Sequence, residues 1–130
     1  MRIVENVPPD TVQLLQLYRS VGWLGPHEGE EFVKEILQNT DEFVCIYVGE
    51  TLAAFGRMLT DYRMSAFLDD IVVHPGFRRM GLGSTLVNLL IKKVPEVKKV
   101  KLTTFHASEF YSKLGFSKPT CAPMELIQYP

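Results

Sequence analysis

Cysteine is nearly absent: Cys45 and Cys121 are the two in 130 residues. Such a chain cannot rest on a disulfide framework. With three scattered histidines, the two thiols also make no metal-ligand spacing, and no metal is expected. Long apolar runs are missing as well. None approaches the roughly 18 residues that cross a bilayer, so no membrane partner is expected. The opening MRIVENVPPD has no basic stretch leading into an apolar one, so the reading is a cytoplasmic protein with free thiols. Cys45, inside FVCIYV, suits the interior of a strand better than a reactive site. No charge of one sign dominates: the formal net charge is −1. An extended basic face studded with aromatics is lacking too, so no nucleic-acid partner is expected. Without linkers, repeats or low-complexity tracts, residues 1–130 read as one domain.

What is present is ordinary globular material, 46% hydrophobic and 22% charged. The charges are unevenly spread. Residues 1–60 hold 4 Lys and Arg against 9 Asp and Glu, whereas residues 61–130 hold 10 against 6. The first half thus favours a cationic ligand and the second an anionic one, although KKVPEVKK equally suits a solvated surface.

RIVENV reads as a strand, and Asp10 caps a helix carrying Leu14, Leu17, Tyr18 and Val21 at helical spacing. A second helix spans about residues 29–38. EFVCIYV and TLAAFGRML flank Gly49-Glu50, a two-residue hairpin signal. FLDDIVV is a further strand, followed by a loop and a helix to about Val94, where Pro95 stops it. KVKLTTF reads as a strand, SEFYSKLG as a short helix ended by Gly115, and MELIQY as a last strand closing the sheet. The order β-α-α-β-β-β-α-β-α-β implies an α/β fold, one mixed sheet flanked by helices.

The loop VHPGFRRMGLGS, Val73 to Ser84, carries more than packing requires. The first turn of a helix has unpaired N–H groups and the positive end of the dipole. Gly81 and Gly83 let ligand oxygens approach the backbone, and Arg78 and Arg79 add fork-shaped donors. A diphosphate suits such a loop. Two familiar diphosphate patterns fail, however. Leu82-Gly83 stands where a P-loop needs Lys-Ser/Thr, and Leu86 where a dinucleotide fingerprint needs its third glycine.

Arg78-Arg79-Met80-Gly81-Leu82-Gly83 instead resembles the [Q/R]-x-x-G-x-[G/A] loop of the GNAT superfamily of N-acetyltransferases. Ala107 to Phe116, ASEFYSKLGF, is similar to the A-x-x-x-Y-x-K-x-G-F segment of that superfamily. The likeness runs through the chain in element order and closely over residues 67–116.

It implies acetyl-CoA as donor, with the diphosphate held by Arg78, Arg79, Gly81, Gly83 and the neighbouring N–H groups of Met80, Leu82 and Ser84. It implies that the pantetheine arm pairs with the backbone of Ile71, Val72 and Val73, and that Tyr111 protonates the leaving thiolate. Thr104 stands where many members carry an asparagine that contacts the cofactor. Asp70 precedes Ile71, where several members carry an acidic residue. Asp69 and Asp70 should alternate across the strand, so that only Asp70, sharing a face with Leu68 and Val72, meets the cleft as a general base.

The acceptor side is read from SVGWLGPHE, between the first two helices. Trp23 suits a stacking face for an amine or a hydrophobic plug. Glu28 suits attraction of an ammonium or helix capping. The expected activity is transfer of an acetyl group to a small cationic primary amine. A non-catalytic acyl-CoA-binding module and a peptide or protein acetyltransferase are the alternatives. Exposed sheet edges are compatible with a homodimer.

Overall fold

A computed structural model describes residues 1–129. The elements are β1 (Arg2–Glu5), α1 (Thr11–Ser20), α2 (Glu30–Gln38), β2 (Glu42–Val48), β3 (Thr51–Thr60), β4 (Ser65–Val73), α3 (Leu82–Lys92), β5 (Lys99–Lys101) and α4 (Ser108–Lys113), with a 3-10 turn at Pro75–Phe77. They build one five-stranded sheet in the order β1-β2-β3-β4-β5. The first three pairings are antiparallel, and β4 and β5 run parallel through the α3 crossover.

Local signals explain most of these elements. The Asp10 carboxylate accepts from the Val12 N–H at 3.4 Å and starts α1. Gly49, at φ +60°, makes the β2–β3 hairpin turn. Alternating side chains on β2 and β3 feed two cores. On one face Val44, Ile46, Ala54 and Met58 pack against Leu82, Leu86 and Leu90 of α3. On the other, Phe43, Cys45 and Phe55 pack against Leu14, Leu17 and Tyr18 of α1 and Val33 of α2. Gly56 lies where α3 crosses: a Cβ there would come within 3.0 Å of Ile71 Cδ1 and Leu90 Cδ1. The glycine is set by this close approach.

Three expectations need correction. KVKLTTF yields a strand only over Lys99–Lys101, because its continuation swings away from β4. MELIQY forms no strand; residues 117–129 are exposed. Asp69 and Asp70 do not simply alternate. Met58 pairs with Leu68 and Arg57 with Asp70, so Asp69 is an extra residue in β4, a β-bulge. The bulge reverses the sides: Leu68 enters the α3 core while Val72 enters the core beneath α1 and α2.

Cys45 is fully buried and Cys121 exposed, and both are free thiols. Burial pushes the Cys45 thiol up to about 12, so its reactive thiolate is scarce at any ordinary pH. A thiol-specific reagent at mildly alkaline pH should titrate one cysteine in the native protein and two in denaturant. Two fast-reacting thiols in the native state would contradict this packing.

Candidate active site

The loop after β4 is built by short contacts. The His74 ring nitrogen Nδ1 accepts from the Gly76 N–H at 2.9 Å, and the ring meets Phe77 edge-on at 5.6 Å. This fixes the turn from which Arg78 leaves. Arg79 (φ +66°) and Gly81 (φ +75°) are both left-handed. An arginine in that region is uncommon, and a second left-handed residue two positions on folds the backbone tightly over the start of α3. The first-turn N–H groups of Leu82, Gly83 and Ser84 have no carbonyl of their own helix to bond. The Ser84 hydroxyl donates back to the Gly81 carbonyl at 3.1 Å and the Thr85 hydroxyl at 2.9 Å. Gly83 meets α4 directly: a Cβ there would lie 3.3 Å from Phe110 Cζ.

β4 and β5 are laddered only where Ser65–Phe67 face Lys99–Lys101. Beyond Phe67 the strands part, so the β5-side edge of β4 has no partner strand among the described residues. The opening is a cleft of about 620 Å³. Ile71, Val72 and Val73 form one wall, and Ala107, Phe110 and Tyr111 the other. Arg78, Arg79, Gly81, Leu82 and Gly83 close the end, while Val21 and Trp23 rim the side beneath α1. Tyr111 is held by edge-on contacts with Phe110 (4.9 Å) and Phe116 (5.7 Å). Burial raises its phenol above the ordinary value, so it stays protonated at neutral pH.

Met80, Ser84, Thr104, Glu28 and Asp70 lie outside this lining. Met80 is exposed. Thr104 accepts the Ala107 N–H on its hydroxyl at 3.0 Å, ordering the entry to α4. Glu28 accepts the Gly25 N–H at 3.2 Å and folds its own loop.

Asp70 stands one layer behind the cleft. Its Oδ2 accepts from the Tyr18 hydroxyl at 2.6 Å and from Arg57 Nε at 2.6 Å. Arg57 also bonds Asp69 and reaches the Thr40 hydroxyl at 3.2 Å. Burial works against the Arg57 charge, yet the bond and charge of Asp70 and the charge of Asp69 outweigh it, and its pKa is raised. The Asp69 carboxyl is moved above its ordinary range, by burial first and against the pull of Arg57. Tyr18 is nearly fully buried and packs its ring 6.2 Å from Trp23. The network therefore backs the Trp23 rim.

Val21, Phe77, Ala107 and Phe110 were not anticipated in the lining, nor were Arg57 and Tyr18 behind it. Arg57 had a signal: one arginine in the apolar strand TLAAFGRML, next in order to a strand bearing two aspartates, is a cross-strand ion pair in outline.

Known proteins resemble this chain in sequence and in fold. A protein of Pyropia yezoensis named uncharacterized N-acetyltransferase ycf52 is 30% identical over 125 residues, covering 91% of this chain and 71% of its own. A Glycine max protein named histone acetyltransferase TAP1 is 30% identical over 82 residues, 61% of this chain and 36% of its own. A solved GNAT-family acetyltransferase from Streptococcus pneumoniae superposes with a TM-score of 0.85, over 99% of this chain and 98% of its own at 24% identity. That last likeness is one of fold. Residues 9–116 match the sequence profile described as the acetyltransferase (GNAT) family, and it is to this family of enzymes that the chain belongs.

Proposed function

We propose that the protein transfers an acetyl group from acetyl-CoA to a small primary amine by direct attack, with no acyl-enzyme. One observation carries this reading: the unpaired edge of β4, the left-handed loop and Tyr111 converge on a single cleft. The residues present fit acetyl-CoA. Gly81 and Gly83 leave room where side chains would intrude, Arg78 and Arg79 supply charge, and the outward N–H and C=O groups of Ile71 and Val73, on either side of Val72 whose own groups face β3, suit an amide-bearing arm as an added strand.

Each residue has an assigned task. An N–H of the β4 edge steadies charge developing on the thioester oxygen. Tyr111 gives its proton to the departing sulfur. Trp23 presents its face to the incoming ammonium, since no carboxylate among the described residues lines the cleft. An alkylamine with a pKa of about 10.4 must lose a proton before it attacks. Asp70 receives it through water, with Oδ2 held by Tyr18 and Arg57 and Oδ1 left to accept. The cytosol is the assigned compartment, on the strength of two unpaired thiols.

A second reading takes a protein amine as acceptor, favoured by the likeness to the soybean histone acetyltransferase. Parallel assays of CoA release with small amines and with basic peptides separate the two.

The donor is tested by thermal melting with acetyl-CoA, with ATP and NAD as controls. At about 100 times its dissociation constant a ligand adds about 2.7 kcal/mol, on the order of 10 °C for a domain of this size. A rise confined to acetyl-CoA supports the assignment; its absence at saturation removes the loop assignment and every role built on it.

A further inference from the structure

Charge is unevenly placed around the cleft. Among the described residues, Arg78 and Arg79 are the only ionised groups that line it, and both stand at its loop end. The side beneath α1 is rimmed by Val21 and Trp23. Trp23 is 49% exposed, and its ring lies 6.2 Å from that of buried Tyr18. The indole is thus seated from behind and keeps a broad apolar surface in water beside the cleft.

The carboxylates around this rim are already engaged. Glu28 folds its own loop through the Gly25 N–H. Asp69 and Asp70 share the single guanidinium of Arg57, and Asp70 takes the Tyr18 hydroxyl as well. Two carboxylates against one guanidinium leave one negative charge in excess behind the cleft. That suits one ammonium. A second would be drawn out of water with no partner, whereas hydrocarbon gains by being covered.

Resting on the transferase reading above, we propose that the acceptor is an apolar monoamine. It carries one primary amine on a hydrocarbon body, alkyl or aryl, that lies along Trp23 and Val21, and it has no second charge. Polyamines and basic peptides are the acceptors this rim disfavours.

The test compares kcat/KM, from initial CoA release at saturating acetyl-CoA, for butylamine, pentylamine, hexylamine and the five-carbon diamine cadaverine. Hexylamine and cadaverine match in length and differ only in ending as methyl or ammonium. Each added methylene should raise kcat/KM by about threefold to fourfold, the effect of covering one such group. Hexylamine should exceed cadaverine by about tenfold or more. Trp23→Ala should flatten the series through KM with kcat little changed, and Trp23→Glu should turn the preference toward the diamine. Melting curves with acetyl-CoA check that both variants fold and hold the donor. A parent that prefers cadaverine or a basic peptide, or shows no dependence on chain length, overturns the proposal while the transferase reading stands. A series unchanged in Trp23→Ala overturns it too, as does a donor-bound parent that acetylates none of the monoamines. Failure of acetyl-CoA to raise the parent's melting temperature removes the transferase reading itself, and this proposal with it.

Discussion

Exchanging Tyr111 for phenylalanine should lower turnover by about a hundredfold, the lower end of what a positioned acid contributes. The ring remains, so its contacts with Phe110 and Phe116 persist and the melting temperature should be unchanged. Donor affinity should also hold, because in the proposed mechanism the hydroxyl acts only as sulfur departs. The pH dependence follows from the direction of the shift. Burial raises the phenol above its usual value, so the protonated acid persists to higher pH than free tyrosine, and the rate declines on its account only in strongly alkaline buffer. Through the neutral range the variant and the parent should therefore differ by a constant factor. Initial rates of CoA release at saturating acetyl-CoA measure it. Parental turnover in Tyr111→Phe would leave this residue as packing alone.

Arg57→Ala carries the largest expected loss of stability. The Arg57 side chain is 11% exposed, and it faces side chains of Asp69 at 36% and Asp70 at 18% exposure. Removing one member of a buried ion pair costs about 3–5 kcal/mol. The partial exposure of Asp69 lowers this to about 2–3 kcal/mol, equivalent to a melting temperature lower by roughly 10 °C. Kinetics should change as well. Without Arg57, the Oδ2 of Asp70 keeps only Tyr18, which loosens the backing of Trp23 and should raise KM for the amine more than for acetyl-CoA. Arg57→Lys should recover part of the stability, since an ammonium supplies the charge without the fork. Thermal melts of the three proteins decide the matter; an Arg57→Ala variant melting within a degree or two of the parent would refute the network as described.

Much of this was legible in the residues, where local chemistry decides structure. Asp10, the Gly49-Glu50 turn and Gly115 mark boundaries that the fold keeps, because capping and left-handed turns depend on a few neighbouring atoms. The loop glycines and arginines could be read for the same reason. The bulge at Asp69 could not, because an inserted residue leaves no mark on a run of apolar side chains buried on both faces. That single residue decides that Asp70 lies beneath α1 beside Arg57 instead of in the cleft lining. MELIQY shows the limit from the other side: its residues favour a strand, but pairing requires an edge, and no propensity names which edge. Phe110 and Val21 enter the lining through the splay of β4 from β5, a property of the sheet and not of any short stretch.

The parted strands have a consequence for how this site withstands mutation. The wall formed by Ile71, Val72 and Val73 offers the main-chain N–H and C=O groups of Ile71 and Val73, and these are the same in every residue type but one. Substitutions among strand formers there alter packing while leaving the offered hydrogen bonds in place. Only proline deletes a donor. The edge proposed to bind the donor is thus carried by the part of the polypeptide that the genetic code varies least.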